Sequence, residues 1–302
     1  MRRRIALVAT ALAVWVAGAA VGTTSPTPHA AASPLLMLAK AHRAEFIPAL
    51  DGKKPIFILA LGSDARPGQN IERERADSIH IIGVNPAKHS ASILGFPRDS
   101  FVPIPGHGTQ KINAALTFGG PQLAVKTIEA VSGIRVNFYL ITSFRGLRNM
   151  VDAVGGIKVN VLVPMHDQFS HANFDPGVHH FTGAQALAFA RDRHDFSNGD
   201  FERSANQGRL FLAALGTFRR QFEKNPSSVL TWMGAGLRNV STDLSLNELL
   251  KLAFTSSRVR PDKVKNVVVP GHGAVVGGAD VVMIDPGAQA LYKNMRDDGI
   301  LD

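Results

Sequence analysis

Residues 55–61, Pro-Ile-Phe-Ile-Leu-Ala-Leu, form a continuous apolar run of strand length that ends at Gly62. Such a run does not alternate, so it needs cover on both of its faces. It reads as a buried central strand of a sheet sandwiched between helices. Two further strands over 78–84 and 90–96 are joined by the turn-like Asn85-Pro-Ala-Lys-His89, which predicts a hairpin. Strands are also expected over 137–142, 157–163 and 264–269. Helical periodicity covers 113–131 in two pieces about Gly119-Gly-Pro121, with Pro121 suited to a first helical turn, and 143–154 up to Gly155-Gly156. Helices over 183–190, 201–222, 226–235, 245–257 and 287–297 complete the pattern. Strands and helices interleave throughout. The expected fold class is therefore α/β: a single three-layer domain over 55–302, with a mixed central β-sheet and helices on both faces. The 45% of apolar residues against 19% charged supplies the core this needs, and the absence of cysteine rules out a disulfide framework or a thiolate metal site.

The N-terminus has a different composition. Met1-Arg-Arg-Arg4 precedes an uncharged run over 5–22, about 18 residues and near the length that crosses a bilayer. Residues 1–22 are a membrane anchor or a signal segment. The run exceeds a usual signal core, which favours the anchor, while Ala17-Gly-Ala19 and Ala30-Ala-Ala32 offer cleavage sites. Basic residues before the run place the rest of the chain outside the cell, with residues 23–54, rich in Thr, Ser, Pro and Ala, as a spacer. The net charge is +9. A chain exported in this way meets acidic lipids, lipid-linked phosphates and wall polymers rather than nucleic acid.

The candidate site residues cluster at element ends. Ala190-Arg-Asp-Arg193 and Asp200-Phe-Glu-Arg203-Ser-Ala-Asn-Gln207 bring three arginines, a carboxylate and a carboxamide together. Arginine holds phosphate with two parallel N–H donors and keeps its charge. Arg203 and Gln207 are i,i+4 and share a helix face. Arg191 and Arg193 can grip one anion only if the helix stops near Arg191, because i,i+2 residues diverge on a helix and align in extended chain. The other reading of this stretch is a solvated helix end with last-turn arginines.

Strand 55–61 runs into Gly62-Ser-Asp64-Ala-Arg66, and Arg75-Ala-Asp77-Ser78 stands before the next strand. Asp64 and Asp77 among arginines suit a hard divalent ion, or else they pair only with Arg66 and Arg75. Strand 90–96 ends in Pro97-Arg98-Asp99-Ser100. Arg98 is expected to face a phosphate, with Asp99 turned the other way to fix the loop. Lys111 is a further phosphate contact or a surface lysine, and Asn113 is a suitable N-cap. His179, His180 and His194 are assigned surface or core roles, and the segments around His107 and His272 are expected loops.

In their order and spacing these motifs, from Gly62-Ser-Asp-Ala-Arg66 through Phe96-Pro-Arg-Asp-Ser100, Val102-Pro-Ile-Pro105, Lys111-Ile-Asn-Ala114 and Gly155-Gly-Ile157 to the arginine cluster, resemble the LytR–CpsA–Psr family, with the core of the match over 55–222. The resemblance implies a membrane-anchored extracytoplasmic phosphotransferase. Its implied substrates are a polyprenyl-pyrophosphate-linked glycan and peptidoglycan. It also implies Mg2+ on Asp64 and Asp77, and pyrophosphate held by Arg75, Arg98, Arg191, Arg193 and Arg203 with Gln207 assisting. An apolar tunnel for the prenyl tail belongs to the same picture. Asp200, Asp99 or a metal-bound aspartate are open as the base. Two other readings use the same residues: a polyprenyl-phosphate-binding regulatory protein and a pyrophosphatase acting on the lipid carrier.

Overall fold

The computed structural model describes residues 54–302. The expected membrane segment, and the spacer up to residue 53, lie outside the described residues. All the described residues belong to one compact unit. Among them, no helix is long and apolar enough to cross a membrane.

A six-stranded sheet organises this part of the chain. Its strands are β1 (Ile56–Ser63), β2 (Ala76–Asn85), β3 (Ser90–Gly95), β6 (Phe138–Ser143), β9 (Val240–Thr242) and β10 (Val264–Val268), in the order β10-β3-β2-β1-β6-β9. β1 runs parallel to β6, and β3 parallel to β10, while the other neighbours are antiparallel, so the sheet is mixed. The β2–β3 hairpin expected from the turn sequence is present. Its turn is tied by the Lys88 N–H, which donates to Asn85 Oδ1 at 3.1 Å.

Helices cover both faces, and β1 shows why. Its residues Phe57, Leu59 and Leu61 join one core with α1 (Ala114–Ser132) and α7 (Ala288–Asp298), where Leu116, Ile128 and Tyr292 pack beneath them. The alternate residues Ile56 and Ile58 join a second core on the other face, against Leu215 of α4 (Gly199–Lys224) and Leu249 and Leu252 of α6 (Leu246–Arg258). On this second face the side chains shrink along the strand, from Ile56 and Ile58 to Ala60 and Gly62. The space left there is the wall of a cavity.

The break expected in the first helix is a kink at Gly120, whose φ of 68° only glycine adopts without strain, and Pro121 restarts the helix. Asn113 stands at the N-cap position but makes no side-chain cap. It is buried, its N–H donates to the Arg98 carbonyl, and its own carbonyl accepts from Ala76, so it joins strand ends instead. α2 (Phe144–Ala153) starts on Ser143, whose Oγ accepts from the Gly146 N–H at 3.1 Å. α3 (Gly183–Arg191) opens on a Thr182–Gln185 capping box.

Three two-stranded sheets lie apart from the main one. The strand expected over 157–163 is β7 (Ile157–Val161), but it pairs with β8 (Gly177–Phe181) outside the main sheet. β4 (Phe101–Ile104) pairs with β5 (Gly108–Lys111), and β11 (Gly271–Val276) with β12 (Ala279–Ile284). Gly271 to Gly273, expected as a loop, is thus strand. Glycine and histidine carry no alternating apolar signal, and cross-strand hydrogen bonds to β12 supply what the local sequence lacks. β7, β8, α2, α3, α4 and α5 (Ser228–Asn239) enclose a third apolar core around Phe181 and Phe189.

Candidate active site

The cavity on the second face of the sheet has a volume of about 840 Å³. One end is charged. Asp64, Arg66, Asp77, Arg98, Arg191, Arg193, Arg203 and Gln207 all lie on its wall. Most of the remainder is apolar, formed by residues such as Val151, Leu187, Leu210, Phe218 and Trp232, with polar groups such as Thr142, Asp167 and Thr242 among them.

The local backbone explains how these side chains reach it. β1 and β2 lose register at Gly62/Ser63, where Ser78 opposes Gly62 and Ala76 opposes Ser63, so Asp77 is the extra residue of a bulge. A bulge re-aims its side chains, and here Asp77 and Ser78 reach the same cavity although they are neighbours in a strand. The close approach at this point requires glycine, since a Cβ on Gly62 would lie 2.8 Å from Ser78 Cβ. Ser78 is further oriented from behind. Buried His80 contacts the Ser204 carbonyl through Nε2 at 3.0 Å and Ser78 Oγ through Nδ1 at 3.1 Å. A carbonyl only accepts, so His80 carries its proton on Nε2, and Ser78 donates to Nδ1. The lone pairs of Ser78 Oγ remain for the cavity.

α3 ends at Arg191, and Asp192 is extended with φ −61° and ψ 131°. The helix therefore stops where two arginines sharing one anion require it to. Arg191 and Arg193 are exposed on the cavity wall, while Asp192 between them is fully buried. Both Asp192 carboxylate oxygens are shielded from solvent, and burial, followed by the charges of Asp195 and Asp167, raises its pKa. The Arg191 guanidinium sits 5.3 Å from the centroid of the Phe144 ring, a cation–π contact that settles its direction.

Arg203 is the deepest of the arginines, at 6% exposure. Burial lowers its pKa; Arg98 and Arg193 push the same way, and Asp200 and Asp77 oppose. Asp200 pairs with it at 3.1 Å. Arg98 donates to Asp77 Oδ1 at 2.6 Å. Burial works to lower the Arg98 pKa, but the Asp77 carboxylate outweighs it and the net shift is upward. Arg203 and Arg98 thus carry positive charge toward one space with their own counter-ions only partly matched. That suits a multiply charged anion.

Asp64 is different from Asp77. Among the described residues it has no ion pair, and burial followed by the charge of Asp77 raises its pKa against Arg66, Arg98 and Arg191. Asp77 takes Arg98 as its partner, so the alternative pairing of both aspartates with Arg66 and Arg75 is not what the structure shows. Two nearby carboxylates, one without an ion pair, form a donor set that a divalent ion would relieve. Among the described residues no group of three or more His, Cys, Asp or Glu could hold a metal alone. A magnesium-like ion would thus draw its other ligands from phosphate and water, as such ions do.

Four of the expected residues are not on the cavity wall. Arg75 is exposed, and its main chain rather than its side chain serves the site, accepting from the Asp64 N–H at 2.9 Å. Asp99 pairs with Lys111 at 3.4 Å and also lies 3.9 Å from Arg98 Nε, so these neighbours do not turn fully apart as the strand alternation predicted. Lys111 therefore faces a carboxylate, and Asp200 faces Arg203. Gln207 reaches the wall, but its amide donates to the main-chain carbonyls of Asp77 and Ala190, both at 3.3 Å, and so ties β2 to the end of α3. His179 is half-buried and His180 exposed, and they contact the carbonyls of Asp175 and Gly155 respectively. His194 is exposed, within the surface or core role expected of it, and it also lines the cavity together with Asp167 and Phe169. No local spacing announces that group, because Asp167 and His194 come from different segments.

The chain resembles known proteins in sequence and in fold. It is 32% identical over 240 residues to the polyisoprenyl-teichoic acid–peptidoglycan teichoic acid transferase TagU of Enterococcus faecalis, a match covering 78% of this chain and 77% of that one. It is 38% identical over 257 residues to the probable cell wall biosynthesis protein LcpB of Corynebacterium glutamicum, covering 79% of this chain and 60% of LcpB. Among solved structures, YwtF (TagT) of Bacillus subtilis with bound octaprenyl pyrophosphate lipid shares the fold, with a TM-score of 0.64 at 23% identity over 82% of this chain and 92% of that one. The model of the LytR_cpsA_psr family matches residues 25–297, and the chain belongs to that family.

Proposed function

We propose that this protein transfers a glycopolymer from a polyprenyl-pyrophosphate carrier to a hydroxyl of peptidoglycan, leaving a phosphodiester link. The observation that carries this reading is the union of two surfaces in one cavity: an arginine-rich end and an apolar interior of about 840 Å³. A pyrophosphate suits the first and a prenyl tail the second, where each buried CH2 contributes about 0.8 kcal/mol. The TagU relative is named for teichoic acid transfer, and the TagT structure holds octaprenyl pyrophosphate. The basic flank at Arg2–Arg4 before the apolar run supports a membrane-anchored chain with this domain outside.

In the mechanism, the hydroxyl oxygen attacks the glycan-bearing phosphorus and the bridging P–O bond to the second phosphate breaks. Polyprenyl phosphate leaves. Negative charge grows on the bridging and outer phosphate oxygens, and little covalent work is left to the protein. Arg98, Arg191, Arg193 and Arg203 hold that charge in a site they already shape, so no reorganisation is needed at the moment of reaction. Arg66 at the exposed rim and Ser78 Oγ add polar contacts. Asp64 and Asp77 would hold Mg2+, which supplies charge neutralisation on the phosphates. Asp99 with Lys111, Asp200 with Arg203, and the Arg75 main chain keep the lining groups in place.

The test mixes purified protein, a polyprenyl-pyrophosphate glycan and peptidoglycan oligomers, and counts polymer linked to the acceptor. Arg203→Ala is expected to lower transfer by about 10²–10³. Arg203→Lys should also be impaired, since lysine keeps the charge but loses the two-pronged geometry. Asp77→Ala should abolish the response to Mg2+. Full transfer by both alanine variants would remove this site from the reaction.

A further inference from the structure

The transfer needs a group that takes the proton of the acceptor hydroxyl. Three of the carboxylates named from the sequence are engaged, Asp99 with Lys111, Asp200 with Arg203 and Asp77 with Arg98, while Asp64, which has no ion pair among the described residues, would be taken up with Asp77 in holding the divalent ion. His194 is placed differently. It lines the cavity beside Arg193, and its Nδ1 lies 3.0 Å from Asp167 Oδ2. The imidazole is 42% exposed, whereas the Asp167 side chain is 1% exposed.

Asp167 is anchored. Its Oδ1 accepts from the Phe169 N–H at 2.8 Å. Burial works to raise its pKa, but the bonds from His194, the Phe169 N–H and Ser170 outweigh it and hold the carboxyl well below the usual carboxylate range. An ionised carboxylate only accepts, so a neutral His194 donates from Nδ1 and keeps its lone pair on Nε2. Nε2 has no partner among the described residues. The Phe169 ring, 4.6 Å from the imidazole centroid and tilted by 44°, steadies the ring plane. This is the arrangement in which a buried aspartate selects the tautomer of a histidine base and stabilises the imidazolium that forms.

We propose that His194, oriented by Asp167, is the general base that accepts the proton of the attacking hydroxyl. The proposal rests on the transfer reading above. As the oxygen bonds to phosphorus, its proton passes to Nε2. The electrons of the broken P–O bond leave with polyprenyl phosphate. The imidazolium is held by Asp167 and returns its proton to solvent. Other charged groups share this surrounding: Asp192 and Asp195 in the same loop, Arg191 and Arg193 on the same wall, and Asp64, Asp77, Arg98 and Arg203 in the same cavity. Asp195 itself accepts from the His166 N–H at 2.5 Å.

The experiment compares the parent protein with His194→Gln and Asp167→Asn. Glutamine keeps an N–H for Asp167 but has no basic nitrogen. His194→Gln is expected to lower kcat for transfer by about 10²–10⁴. It should leave the dissociation constant for polyprenyl pyrophosphate unchanged and remove the limb of the pH profile that falls toward acid. Asp167→Asn is expected to retain lipid binding and lower kcat with the limb displaced. Transfer by His194→Gln within about twofold of the parent, with the acid limb intact, would overturn the proposal and leave the transfer reading standing. A parent that releases polyprenyl phosphate to water and links nothing to peptidoglycan would overturn the transfer reading, and the acid limb of that hydrolysis then judges His194. A turnover-independent readout is the 15N spectrum of the imidazole. The neutral ring is expected to carry its proton on Nδ1, and a proton on Nε2 would overturn the assignment.

Discussion

The two faces of the central sheet are built by the same strands and end in opposite conditions. Beneath Phe57, Leu59 and Leu61 the space is filled by α1 and α7. On the other face Ile56, Ile58, Ala60 and Gly62 decrease in size toward the site, and α4, α5 and α6 stand off to leave the cavity. β2 repeats the contrast, with Ile79 and Ile81 on the filled face and Ser78 and His80 on the other. One face serves stability, while the other keeps room for a ligand and carries polar groups into the interior. The difference arises residue by residue, because a strand sends alternate side chains to opposite layers.

The contrast is most strongly tested by exchanging room between the faces. Leu59→Ala is expected to lower stability by about 2–5 kcal/mol, read from urea denaturation, because a fully packed layer cannot collapse onto the void. Its lipid affinity should persist under conditions where it is folded. Ala214→Phe, on the cavity wall, is expected to do the reverse: a small change in the denaturation midpoint and a loss of polyprenyl-pyrophosphate binding. If the alanine variant lost lipid affinity while folded, the faces would be coupled rather than separate.

The next effect in size comes from His80. Burial depresses its pKa from the usual 6.5 to about 4, against a weaker upward pull from the Ser204 carbonyl. The unfolded chain therefore binds this proton first as pH falls. Stability is fully present above pH 6.5 and is lost as pH falls through that value toward 4, by about 3 kcal/mol in all at ~1.4 kcal/mol per pH unit. His80→Gln should flatten that slope in a series of denaturation curves. An unchanged slope would show that the polar interior of the cavity face does not set the acid sensitivity.

The smallest expected effect lies at the charged end. Phe144→Ala removes the ring beside Arg191, worth about 0.5–1 kcal/mol for a partly exposed contact, and should weaken pyrophosphate binding roughly two- to fivefold by calorimetry. A loss as large as that of Arg203→Ala would mean that the direction of Arg191 depends on the ring alone, rather than on the helix end as well.

Much of this molecule is written in local sequence. The apolar run at 55–61, the hairpin turn at 85–89, the Gly-Pro break at 119–121 and the glycines at 155–156 announce their elements, because period, φ preference and missing donors act over a few residues. The same locality put the arginines and aspartates at element ends and required α3 to stop at Arg191. What residues do across distance is not written there. β7 pairs with β8 and not with the main sheet, and the bulge that turns Asp77 into the cavity depends on the facing strand. Gln207 spends its amide on Asp77 and Ala190, with Asp77 130 residues away. The pairing of Asp77 with Arg98 rather than Arg75, and of Asp167 with His194, was decided by which ends met around the space left by shrinking side chains on β1. Short-range stereochemistry determined the elements. Only tertiary packing, which compares alternative partners for each buried charge, could choose among the side chains that meet in the cavity.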